Sequence, residues 1–107
     1  MSPRTCILSP QGYLERVAGE LLREKVKEKL DAGCKNIVIS FSAVPLINSL
    51  GVSGIIEAFD LIDSGGAEIY FADANREVET ILETAGVMNL VSQIITSSEA
   101  RETLKEA

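Results

Sequence analysis

Short β-branched runs alternate along this chain with longer amphipathic stretches, and that alternation leaves few folds open. Asn36-Ile37-Val38-Ile39-Ser40-Phe41 is long enough for a buried strand and too short for a helix. Ala67-Glu68-Ile69-Tyr70-Phe71-Ala72 follows a Ser64-Gly65-Gly66 turn and reads as a second strand. Thr5-Cys6-Ile7-Leu8 and Ser92-Gln93-Ile94-Ile95-Thr96 are weaker strand candidates. Between Arg16 and Asp31, Val17, Leu21, Leu22, Val26 and Leu30 form an apolar stripe opposite Glu20, Arg23, Glu24, Lys27 and Glu28, which predicts a helix closed by Gly33. From Ser49 to Asp63, Val52, Ile55, Ile56, Phe59 and Ile62 line one face. A third helix is expected over Asn75 to Ala85, with Val78, Ile81 and Leu82 inward and Gly86 closing it, and a short terminal one over Ser98 to Glu106. Strand and helix thus alternate four times. The pattern predicts an α/β fold of four or five mostly parallel strands alternating with about four helices. At 107 residues, without linker or repeat, the chain is expected to be a single domain over 1–107.

The residue inventory excludes most catalytic chemistry. The chain has no His and no Trp, so a His-ligated metal site, a Ser-His-Asp triad and a Cys-His dyad cannot be built from it. No GxxxxGK[ST] or GxGxxG follows a strand, and the strongest strand ends in Ser40-Phe41-Ser42, without a phosphoacceptor carboxylate. Neither cofactor nor metal is expected, and the chain reads as a non-enzyme. Cys6 and Cys34 lack CxxC spacing and no signal segment precedes them. They are therefore expected to be free, inert thiols in a reducing cytoplasm. No apolar run reaches the ~20 residues that span a bilayer, so no membrane insertion is expected. The net charge of −6 argues against nucleic acid as a partner. That charge is uneven: Met1 to Ile56 carries seven basic and five acidic residues, whereas Glu57 to Ala107 carries three and eleven.

In parallel α/β sheets, sites gather at the carboxyl ends of strands, which here means the loop Ser42–Asn48. The segment Ile39-Ser40-Phe41-Ser42-Ala43-Val44-Pro45-Leu46-Ile47-Asn48-Ser49-Leu50-Gly51-Val52-Ser53-Gly54 resembles the signature of the STAS domain (sulfate transporter and anti-sigma-factor antagonist). That signature is an apolar strand, a turn, then Asp-Ser-x-Gly opening a helix. Ala74-Asn75-Arg76-Glu77-Val78, Leu82, Ala85-Gly86-Val87 and Leu90 resemble the family's next segment, and Ile94 to Ala100 its closing turn and helix. The resemblance implies a bacterial anti-sigma-factor antagonist that binds an anti-sigma factor acting as a serine kinase, with Ser49 as phosphoacceptor. It implies a partner surface over Ile47, Asn48, Ser49, Leu50, Gly51, Ser53 and Gly54.

The match has departures. Asn48 stands where the family has Asp; it caps a helix as well but carries no charge beside the hydroxyl. Leu50 replaces a small residue, and the segment before Gly12 has room for one strand where the family has two. The resemblance therefore also implies an alternative, a constitutive STAS scaffold or subunit of a signalling assembly or transporter complex, with other STAS proteins or a second copy as partners. A small-molecule site would draw on Ser40, Ser42, Asn48 and Ser49 near one strand end. Gly51 and Gly54 each cost about 1 kcal/mol inside a helix relative to Ala. They are explained either by a close approach of backbone or by a flat surface for a partner.

Overall fold

Four parallel strands frame the protein in a computed structural model that describes residues 4–89 and 93–95. The order is β1 (Thr5–Leu8), α1 (Arg16–Asp31), β2 (Asn36–Ser40), α2 (Ser49–Ser64), β3 (Glu68–Ala72), α3 (Arg76–Thr84), a 3₁₀ turn at Val87–Asn89, and β4 (Gln93–Ile95). The expected closing helix over Ser98 to Glu106 and the family-like Leu90 lie outside the described residues. The strands stand side by side in chain order β1-β2-β3-β4. In register, Ile7 sits beside Val38, Val38 beside Tyr70, and Tyr70 beside Gln93.

Strands joined in sequential order by right-handed crossovers place every connecting helix on the same face of the sheet. The core follows that rule. Cys6, Leu8, Ile37, Ile39, Ile69 and Phe71 alternate onto the helix-bearing face and pack with Leu22, Val26, Ile55, Ile62, Val78 and Leu82. The intervening Val38 and Ala72 form a separate buried cluster with Ile7 and Tyr70. Phe41 and Phe71 meet edge to face, centroids 5.2 Å apart, above the ends of the two central strands. Gly33 and Gly86, the expected helix stops, adopt φ of +96° and +79°, a region that side-chain-bearing residues rarely enter.

Helix α1 faces inward through a narrower stripe than its apolar residues suggest. Gly19, Leu22 and Val26 are buried, whereas Val17 and Leu21 are 49% and 54% exposed. The cause is a backbone contact between helices. A Cβ on Gly54 would lie 2.6 Å from the Cα of Gly19 and 2.8 Å from its carbonyl. One on Gly19 would meet the Leu50 carbonyl at 3.3 Å. Gly19 therefore marks the face of α1 that meets α2, and Leu22 and Val26, at i+3 and i+7, share it. Val17 and Leu21 are rolled outward, as is Ile56 on α2.

The expectation of free thiols is overturned. Cys6 and Cys34 are joined in a disulfide. Parallel pairing lays β1 beside β2, and Cys34 stands two residues before β2. The two Cα atoms are thereby brought to 6.2 Å, within disulfide reach. A separation of 28 residues hides this in the sequence.

Two outcomes are expected. Gly54→Ala gains about 1 kcal/mol of helix propensity but forces two backbones apart. Overpacking of this kind costs about 1–3 kcal/mol, more where rigid backbone must move, so a lower urea midpoint is expected; a higher one would refute the contact. Reduction of the disulfide should lower the unfolding free energy by about 3–4 kcal/mol, the chain-entropy value for a loop of this size. Equal midpoints with and without reductant would contradict that.

Candidate functional site

The carboxyl ends of β1 and β2 continue into two loops that hydrogen-bond to each other as the strands do. The Gly12 N–H donates to the Ala43 carbonyl (2.8 Å), Leu14 N–H to Leu46 (2.9 Å), and Asn48 N–H to Leu14 (3.1 Å). Leu14, Val44 and Ile47 are buried beneath this ladder. From the other side, the Asn75 side-chain amide donates to the Pro45 carbonyl at 3.2 Å, while its Oδ1 accepts the Val78 N–H and caps α3. The loop before α2 is thus fixed on both flanks, and only Pro45 and Leu46 of the Pro45–Ile47 tip face water.

The start of α2 is set by Asn48. Its backbone is extended, its Oδ1 accepts the Gly51 N–H at 2.9 Å, and its carbonyl accepts Val52 N–H at 3.0 Å. Ser49 is the first helical residue and is exposed. Leu50 is 51% exposed, and Ser53, one turn on, donates its hydroxyl to the Ser49 carbonyl at 3.1 Å. None of these bonds uses the Ser49 hydroxyl. With Gly51 N–H taken by the cap, the N–H groups of Ser49 and Leu50 point out of the positive end of the helix. The first turn carries no acidic side chain.

The seven residues expected to meet a partner separate into two sets. Ser49, Leu50 and Ser53 face water and Asn48 is half-buried, while Ile47, Gly51 and Gly54 are buried. A Cβ on Gly51 would run into the Leu14 carbonyl and lie 3.1 Å from Ile47 Cγ1. Of the two explanations for the glycines, close approach is therefore the one the structure supports. Ser40 and Ser42 are occupied elsewhere: the Ser40 hydroxyl, 2% exposed, lies 3.2 Å from Ser42 Oγ and 3.5 Å from Asp73 Oδ2, tying β2 to the residue after β3.

Two contributors escape a reading of residue types. Asn75 couples α3 to the loop before α2; its place ahead of a helical run signals the cap, but nothing in the sequence signals the second bond. Glu15 caps α1, accepting N–H bonds from Val17 and Ala18, and these bonds hold its carboxyl below the ordinary glutamate value.

Comparisons with known proteins bear on the family and the fold. A family model, the STAS domain, matches residues 1–107. An anti-sigma F factor antagonist of Paenibacillus polymyxa is 24% identical over 86 residues, covering 79% of this chain and 74% of that protein. The crystal structure of a candidate anti-sigma factor antagonist from Thermotoga maritima superposes with a TM-score of 0.80 at 26% identity, covering 95% of this chain and 88% of the other. The STAS domain of a SulP transporter from Vibrio cholerae gives 0.76 at 16% identity, covering 94% and 80%, a likeness of fold alone.

The cap makes a test of this geometry. Asn48→Ala is expected to lose about 1 kcal/mol of stability, whereas Asn48→Asp retains it, since either side chain offers the oxygen that Gly51 N–H requires. Equal loss in both variants, measured by denaturant titration, would show that the cap is not what Asn48 supplies.

Proposed function

The chain belongs to the STAS domain family, and from that premise we propose that it acts as a bacterial anti-sigma factor antagonist. In this reading it is a non-enzymatic regulator of transcription. It works in the cytoplasm, binds an anti-sigma factor that is also a serine kinase, and is switched by phosphorylation of Ser49. The supporting observation is the division of labour at the start of α2. Asn48, Gly51 and Leu14 make the turn, and the Ser49 hydroxyl is left exposed, outside every bond that holds it.

The physical consequences follow from that division. A phosphate on Ser49 adds about −1.5 to −2 charges at the end of a helix whose N–H groups and dipole favour an anion. The modified turn therefore has no reason to unfold. The docked complex pays instead. The water-facing residues around Ser49 include Leu46 and Leu50, and a partner that covers them must take the phosphate out of water, which costs several kcal/mol unless a cation meets it. Modification thus acts on association and leaves the fold intact. The disulfide sits at the opposite, amino-terminal ends of β1 and β2, and action in a reducing cytoplasm requires that the fold tolerate its opening.

Asn48 favours a second reading. Without a carboxylate beside the hydroxyl, the same surface would serve as a constitutive contact in a STAS assembly or transporter complex. One experiment separates the two. With the cognate kinase and ATP, intact mass should rise by one phosphate, Ser49→Ala should take none, and Ser49→Asp should bind the kinase at least about tenfold more weakly, about 1.4 kcal/mol. Tight binding with no phosphate gained, together with wild-type affinity of Ser49→Asp, would overturn the switch and leave the scaffold.

A further inference from the structure

The contact that rolls α1 also shapes the far side of that helix. Gly19 holds α1 against Gly54 of α2, and β1 is the first strand of the sheet. The flank of β1 that faces away from β2 is thereby left as one wall of an open groove of about 420 Å³, within the range of small-ligand sites. Ile7, Leu8 and Pro10 line the strand side. Ala18, Leu21 and Leu22 line the helix side, and Leu21 is there because the roll of α1 turned it outward. Charge enters at one end only. Lys25 and Lys29, one turn apart on the same face of α1, are the charged groups among the described residues that line the groove, and no carboxylate joins them. Lys25 lies 3.6 Å from Glu28, but both side chains are more than half exposed, and such a pair holds a lysine weakly. Lys29 has no carboxylate within ion-pair reach among the described residues. Toward Ser9 and Gln11 the lining is uncharged.

We propose that this groove binds a free single-chain amphiphilic anion, a fatty carboxylate being the simplest. Its tail lies between β1 and α1 and its head group between Lys25 and Lys29. The site is separate from the Ser49 surface and does not depend on the antagonist reading. Three features select that occupant. Polarity is segregated along the groove, with apolar contacts from Ala18 to Leu22 and cations after them, whereas an added β-strand would present its side chains in alternation. From Ala18 to Lys29 the helix rises about 16 Å, a length matched by a medium-chain alkyl tail with its head group. The exposed large apolar side chains here are Leu21 and, one turn back, Val17. They suffice to close over an alkyl chain and are small beside the about 800 Å² that each partner gives to a protein interface. A second copy docking through the same face would crowd its own lysines against these.

The test titrates the full chain with decanoate, below its micelle concentration, and follows amide and methyl chemical shifts. Saturable shifts are expected at Ile7, Leu8, Leu21 and Leu22, and each CH2 removed from the tail should weaken binding about two- to fourfold. Lys25→Gln combined with Lys29→Gln, shown by thermal melting to be folded, should weaken it about tenfold. Decyltrimethylammonium has the same tail with a cationic head. It should bind about tenfold more weakly than decanoate, although the chain's net charge of −6 would favour it. Absence of saturable shifts at the groove, or a cation bound as tightly as the anion, would overturn the proposal. Capture by vesicles of anionic phospholipid without binding of free decanoate would make a membrane surface the ligand and refute it. Self-association of the chain that is lost in Leu21→Ser would make a second copy the occupant and refute it equally.

Discussion

The contact on which the rest of this structure depends is backbone against backbone, where α1 crosses α2 through Gly19, Gly51 and Gly54. No side chain intervenes, and the Leu14 carbonyl occupies the space a Cβ on Gly51 would need. That carbonyl also accepts the Asn48 N–H. The closeness of the helices, the ladder between the two loops and the start of α2 are therefore one arrangement. Helix-weakening glycines are tolerated because a larger residue would push α2, and Ser49 with it, away from the loop that positions it.

From that contact the site divides cleanly between fold and solvent. Ile47, Gly51 and Gly54 belong to the packing, while Ser49, Leu50 and Ser53 are presented outward on a turn pinned by Asn48 below and by Asn75 across the loop. That arrangement suits the switch role proposed for Ser49: its hydroxyl can be modified without disturbing a bond the fold requires, so added charge would act on docking.

The architecture was legible because period and punctuation agreed: β-branched runs too short for helices, amphipathic runs between them, and glycines at the helix ends whose positive φ the structure bears out. The approximate span of α1, Arg16 to Asp31, was readable. Which side of α1 faces the core was not, because hydropathy counts Val17 and Leu21 as apolar and gives Gly19 no weight, although the contact made by Gly19 decides the roll of the helix. The disulfide was hidden for a related reason, since its partners meet only through the strand register. At the site, motif resemblance drew attention to Ser49 and its neighbours. It could not divide them into buried and exposed.

The central claim is that a phosphate on Ser49 changes what the surface can bind while leaving the turn that displays it intact. Amide hydrogen exchange on the unmodified and Ser49-phosphorylated chains tests this most directly, read at Gly51 and Val52, whose N–H groups are held by the side chain and carbonyl of Asn48. The account predicts equal protection at both amides in the two forms. A marked loss of protection on phosphorylation would show that the modification acts by undoing the helix start, and would contradict it.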